Sequence, residues 1–140
     1  MNRIFGYHAS KFWFERYHLP ILITENGYSG LDCVMLDGEV HDPQRIDFLH
    51  RYLLEVARAM AEGARRVLGC DLAVASTGVA GPDPDERGNP VGLVYLALAA
   101  PDGTWVRKIQ QGLGRERVRH VSASHGFDLA RRYLSGLEVK

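Results

Sequence analysis

The strongest constraint on this chain is a long amphipathic helix set between two short apolar runs. Asp42 is a good N-cap, and Pro43 suits the first helical position, where a missing N–H costs nothing. Ile46, Leu49, Leu53, Val56, Met60, Ala64 and Val67 then recur at alternating three- and four-residue steps. That spacing predicts one apolar stripe on a helix ended by Gly69. On either side stand PILIT (residues 20–24) and DLAVAST (residues 71–77). Continuous apolar runs of this length are typical of strands buried on both faces. Strand, long helix and strand in that order predict a right-handed βαβ crossover with the two strands parallel.

The rest of the chain fills in around this unit. Residues 7–18 read as a helix with Phe12, Trp13 and Tyr17 on its apolar side, stopped by Pro20. Glu25, Asn26 and Gly27 break the first strand, and the glycine-bearing stretch 28–41 reads as loop with a small hairpin around Asp37-Gly38. After the Gly/Pro-rich residues 78–90, GLVYLALAA is a third strand, Pro101-Asp102-Gly103 a turn and TWVRKIQ an amphipathic edge strand. A last helix from Arg115 to about residue 137 turns Val118, Ala123, Phe127, Ala130 and Leu134 inward. Gly126 inside it costs about 1 kcal/mol relative to alanine. The order α–β–α–β–β–β–α predicts an α/β fold, a single three-layer α/β/α sandwich with a mixed sheet.

Composition narrows the function classes. With 17 basic and 17 acidic residues the formal net charge is zero, so no basic surface argues for nucleic acid. No apolar run approaches the roughly 20 residues that a membrane span needs. The N-terminus is aromatic and interrupted by charge, unlike a signal peptide, which makes the cytoplasm the default expectation. Cys33 and Cys70 lack C-x-x-C spacing and read as free thiols. His120 and His125, five apart on a helix, point to different sides, so they read as surface or packing residues rather than metal ligands. His41-Asp42 reads as helix capping, and the Arg65-Arg66 and Arg131-Arg132 pairs as helix-end charges. Trp105 on the edge strand suits core or dimer contact better than a sugar platform. No metal and no cofactor are expected.

Two motif sets carry chemistry. PILITENG followed by DGEVHDPQRIDFLHRYL resembles the family-1 glycoside hydrolases, the β-glucosidase type, over residues 7–56. The resemblance implies that Glu25, the glutamate of T-E-N-G, is a catalytic nucleophile. A retaining glycosidase also needs a second carboxylate about 5–5.5 Å away to protonate the leaving group. The family supplies it from an N-E-P motif, which does not occur in these 140 residues. Its barrel takes roughly 250 residues, so a TIM barrel is not expected.

EVARAMAEGARR, DLAVASTGVAGPD, NPVGLVYLALA and GRERVR resemble the CinA C-terminal domain, or nicotinamide-nucleotide amidohydrolase family, over residues 56–137. That family hydrolyses the carboxamide of nicotinamide mononucleotide. The resemblance implies an active-site loop of Thr77, Gly78, Ala80, Gly81 and Pro82, with Arg115 or Arg119 meeting a phosphate. A hydroxyl and close-approaching glycine N–H groups at a strand end suit an anionic ligand or a developing oxyanion. The family's serine segment (T-A-E-S-C-T-G-G) and its lysine and tyrosine segment (Y-S-N-E-A-K) do not occur here; glycosidase-like sequence stands in their place. Asn89 also replaces the usual lysine before P-V-G, and His125 and Gly126 replace small apolar helix residues.

The chain thus reads as a recombined or engineered single domain, residues 1–58 glycosidase-like and 59–140 CinA-like, joined within one unbroken helix. The leading expectation is a catalytically inactive CinA-type domain with weak nucleotide or phosphate binding. Its parallel strands would bring Glu25 and Asn26 to face the loop that starts at Thr77. Three alternatives stay open: an amidohydrolase using Ser29 or Ser76 as substitute nucleophile, a β-glucosidase-like fragment keeping only Glu25, and a purely structural fold without ligand. Exposed edge strands favour a homo-oligomer as partner.

Overall fold

The structure is a computed structural model that describes residues 5–22, 33–83, 90–112 and 114–139. Among these the elements are α1 (Phe5–Tyr17), α2 (Pro43–Leu68), β1 (Ala73–Gly78), β2 (Leu93–Ala100), β3 (Gly103–Gln110) and α3 (Gly114–Leu134). The chain divides into two compact units, Met1–Glu55 and Val56–Lys140, with the boundary inside α2.

In the first unit, α1 ends where His18 takes a left-handed φ of 53°. Trp13 stacks on Tyr17 at 5.6 Å between ring centres and meets Phe12 edge-on at 5.4 Å. All three rings remain about half exposed, so the expected apolar side of α1 is not a buried one. Pro20, Ile21 and Leu22 belong to no strand and are exposed, which corrects the reading of PILIT for those residues. An apolar run fits a strand only if a neighbour pairs with it. Residues 23–32, Glu25, Asn26 and Ser29 among them, lie outside the described residues. The small hairpin forms as expected: Val34 bridges Val40, and the Gly38 N–H donates to the Met35 carbonyl at 2.9 Å. His41 hydrogen-bonds the Asp37 carboxylate and holds its pKa below the usual carboxylate range. The helix cap falls to Asp42 alone, whose Oδ1 accepts the Arg45 N–H at 2.8 Å.

The second unit is built on β2, the middle strand of a β1-β2-β3 sheet. Both pairings are antiparallel, running from Ala73↔Ala99 to Gly78↔Val94 and from Leu93↔Gln110 to Ala100↔Gly103. The expected mixed sheet is therefore corrected: the described strands are all antiparallel, and the expected parallel partner of β1 does not form over residues 20–22.

Because strand side chains alternate between faces, the two faces of β2 can be assigned from their partners. Val94, Leu96 and Leu98 form a core with Ile109 and with Val118 and Leu129 of α3. Tyr95, Ala97 and Ala99, each fully buried, point the other way. Thr104, paired with Ala99, donates its hydroxyl to Glu62 of α2 at 2.9 Å, which sets α2 on that second face. Burial there pushes the Tyr95 phenol up to about 12. The second unit is thus a three-layer α/β/α sandwich, as expected for the fold class.

In both helices the most deeply buried residues depart in part from the stripe that the large residues suggest. In α2 the fully buried residues are Ala57 and Ala61, while Ile46, Met60 and Val67 are exposed. In α3 the buried positions are Val118, Ser122, Gly126 and Leu129. Of the residues expected inward, Ala123, Phe127 and Leu134 are exposed, and Ala130 is half-buried. In α3 the small residues Ser122 and Gly126 share the contact with Val118 and Leu129, and they let the helix lie close to the strands. A Cβ on Gly126 would stand 3.2 Å from Val74 Cγ1, so the glycine that weakens the helix by about 1 kcal/mol also permits its approach to β1.

No helix among the described residues is long and apolar enough to cross a membrane. Among the same residues no group of three or more His, Cys, Asp or Glu could hold a metal, and both cysteines are free. The corrected phase of α3 makes a direct prediction. Leu129→Ala lowers unfolding free energy by about 2–5 kcal/mol, whereas Leu134→Ala changes it by less than about 0.5 kcal/mol, as read from denaturant midpoints.

Candidate functional site

The loop after β1 is held in place from two directions. Gly78 crosses the start of β2 so closely that a Cβ there would fall 2.3 Å from the Leu93 carbonyl oxygen. Only glycine fits that approach. One residue on, the Val79 N–H donates to the Leu93 carbonyl at 2.9 Å, and its own carbonyl accepts the Gly92 N–H at 2.7 Å. From the side of α3, Arg115 Nη1 donates to the Gly81 carbonyl at 2.8 Å. A charged donor on a neutral carbonyl is a strong tie, so Arg115 fixes the loop to the first turn of the helix.

Between β1 and α3 lies a cleft of about 880 Å³. This falls within the ordinary size range of small-molecule sites. Val74, Val94 and Leu96 form an apolar floor, Gly78 and Ala80 close one end, and Arg119 stands at that end on α3. Glu116, His120 and Phe127 line the helix side. Ser76 supplies a hydroxyl from β1, while the Ser122 hydroxyl is spent on the Val118 carbonyl at 2.7 Å.

The expected site residues separate into three groups. Gly78, Ala80 and Arg119 share the cleft, and Gly81 and Arg115 are bound to each other beside it. Pro82 is exposed on the same loop. Thr77 pairs with Tyr95 and so projects from the opposite sheet face, half-buried. The β1 hydroxyl on the side of α3 is Ser76. Glu25 lies outside the described residues. Sequence reasoning overlooked Glu116, His120 and the cleft role of Phe127. Of these, Phe127 was read as core with Ala123, and His120 as a surface or packing residue; the three- and four-residue steps 116, 119/120, 123, 127 put them on one wall. The arrangement can seat a small ligand with an apolar body and an anionic group, the anion at the Arg119 end.

The tie between Arg115 and Gly81 is open to test. Arg115→Met speeds hydrogen exchange at Val79 and Gly92, whose hydrogen bonds hold the loop, whereas Arg119→Met leaves both rates unchanged.

Comparison with known proteins gives a consistent picture for the second unit. The model of the CinA C-terminal domain family matches residues 46–134, well over half of the chain. The model of glycosyl hydrolase family 1 matches residues 7–69, less than half. A CinA-like protein of Desulfovibrio desulfuricans is 45% identical over 89 residues, covering 61% of this chain and 21% of its own length. A CinA-like protein of Geobacter sulfurreducens is 50% identical over 80 residues, covering 57% and 19%. The crystal structure of the competence/damage inducible protein CihA from Agrobacterium tumefaciens superposes with a TM-score of 0.52 at 32% identity, over 55% of this chain and 48% of that one. The chain spans about a fifth of the length of those curated relatives and just under half of the crystallised one. By its matched residues and its sandwich, the chain belongs to the CinA C-terminal domain family.

Proposed function

We propose that this chain is a recombined CinA-type domain that binds a small phosphate-bearing ligand weakly and does not hydrolyse it. The observation that carries the reading is the cleft between β1 and α3. It is closed at one end by a glycine-bearing loop that Arg115 pins, and a second arginine, Arg119, stands on that end. Nicotinamide mononucleotide, the ligand implied by the family resemblance, has an aromatic body for the Val74–Val94–Leu96 floor and a phosphate for Arg119. Arginine recognises such a group through its planar fork of N–H donors. Hydrolysis of a carboxamide needs an activated nucleophile and a group to protonate the leaving ammonia. The family's serine, lysine and tyrosine segments do not occur in the chain, and glycosidase-like sequence stands where they belong. The two family matches overlap at residues 46–69, all but the last of them in α2, which supports a join made inside a shared helix rather than through a linker.

Isothermal titration with nicotinamide mononucleotide tests this reading. Binding is expected near a millimolar Kd, about −4 kcal/mol, with no ammonia released. Arg119→Ala abolishes the heat, and Thr77→Ala, on the other sheet face, weakens it less. Absence of heat at millimolar ligand would overturn the binding proposal, and ammonia release would overturn the inactivity. The glycosyl hydrolase match over residues 7–69 favours a second reading, a β-glucosidase-like fragment. That reading requires nitrophenol release from an aryl β-glucoside, lost in Glu25→Gln.

A further inference from the structure

Of the two histidines on α3, His120 lines the cleft and His125 does not. His125 is half-buried on the side of the helix that faces β3. There it meets Arg107, whose Nη1 stands 3.2 Å from Nδ1 of the ring. Arg107 reaches this face because it pairs with Leu96, and paired strand residues share a face. The same Nη1 donates to Asp128 Oδ2 at 3.3 Å, and Asp128 Oδ1 accepts from Arg131 Nη2 at 2.8 Å.

The chemistry of this contact fixes the state of the ring. A guanidinium carries N–H donors and no acceptor. Nδ1 of His125 is therefore the acceptor, which requires a bare lone pair there and the ring's single proton on Nε2. An imidazolium carries a proton on both nitrogens and accepts from neither.

Charge points the same way. The groups that face His125 are Arg107 from β3 and, from α3 itself, Asp128 with Arg131 beyond it. β2 offers this face Val94, Leu96 and Leu98, and no charge. Lys108, which pairs with Tyr95, projects from the opposite face. One carboxylate is thus shared between two guanidiniums: Arg131, and after it Arg107, hold Asp128 below the usual carboxylate range. A cation on His125 would set three positive groups around one negative group.

We infer that neutral His125 latches α3 to β3 and that its protonation releases the latch, a pH-sensitive tie built into the second unit. A proton on Nδ1 ends the contact, and the guanidinium must leave the ring for Asp128 alone. Its side chain is only 17% exposed, so water does not readily replace the lost acceptor. The tie is present while His125 is neutral and is lost as falling pH protonates it. Asp128 keeps its charge throughout that range, because its carboxyl titrates far lower. The seat of α3 also brings Arg115 to the Gly81 carbonyl, so the tie acts on the candidate site through the helix. It does not require that a ligand bind there.

Ring-nitrogen NMR of the full chain tests the inference, with His125→Gln identifying the His125 signals among the six histidines. At about pH 8, above the ordinary histidine range, His125 is expected as the Nε2–H tautomer with Nδ1 unprotonated. Hydrogen exchange supplies the second arm, since glutamine accepts from Arg107 through its carbonyl and does not titrate. From about pH 8 to about pH 5.5, protection of the α3 amides in the unaltered chain falls about five- to tenfold relative to His125→Gln. An Nδ1–H or protonated ring at the upper pH, or parallel pH profiles for the two chains, would overturn the inference. If His125→Gln fails to fold, Arg107→Met takes its place in the same comparison. A fall in protection that survives the loss of Arg107 overturns the inference as well.

Discussion

The structure of the CinA-like unit depends on burying β2 on both faces. An eight-residue strand whose every side chain leaves water contributes most of what holds the unit together. It does so only if a layer covers each side. One cover is the second half of α2, brought close by Ala57 and Ala61; the other is α3, brought close by Ser122 and Gly126. Both helices bury small residues, and α3 buries Val118 and Leu129 beside them while Phe127 and Leu134 stay outside. The strand's own alternation of large and small side chains follows the same division. Val94, Leu96 and Leu98 fill the α3 side, and two alanines with one tyrosine fill the α2 side.

The candidate site is a consequence of that packing. Since α3 is drawn against β1 and β2, its first turn arrives beside the loop that leaves β1, and Arg115 meets the Gly81 carbonyl. The cleft below is the space that α3 leaves along β1. Its apolar floor is continuous with the core, and its polar end is the loop. The same geometry explains why Thr77 and Arg119 do not converge: successive strand residues face opposite ways, and Ser76 takes the cleft side.

Much of the element pattern was legible in the sequence. The three strand positions, the turn at Pro101-Asp102-Gly103, the cap at Asp42 and the unbroken course of α2 all follow from local pattern. Helix phase was not legible. In α3, Phe127 and Leu134 outweigh Gly126 and Ser122 in any count of apolarity, yet close approach favours the small residues. Strand direction was also hidden. A parallel partner for β1 was inferred from the run at residues 20–24, and nothing local to a run states whether a neighbour pairs with it. For the site, the loop motif was visible, but the role of Arg115 as its pin required the fold. In the cleft wall, Phe127 passes for a core residue, and Glu116 and His120 for ordinary surface residues, until the fold sets them beside β1.

The central claim is that β2 is the most protected element, sealed by α2 on one face and α3 on the other. Native-state hydrogen exchange measures this residue by residue. The account predicts that amides 95–99 exchange slowest in the chain, with an opening free energy equal to that of global unfolding, and that α1 amides exchange far sooner. Exchange at 95–99 as fast as in α1 would contradict it.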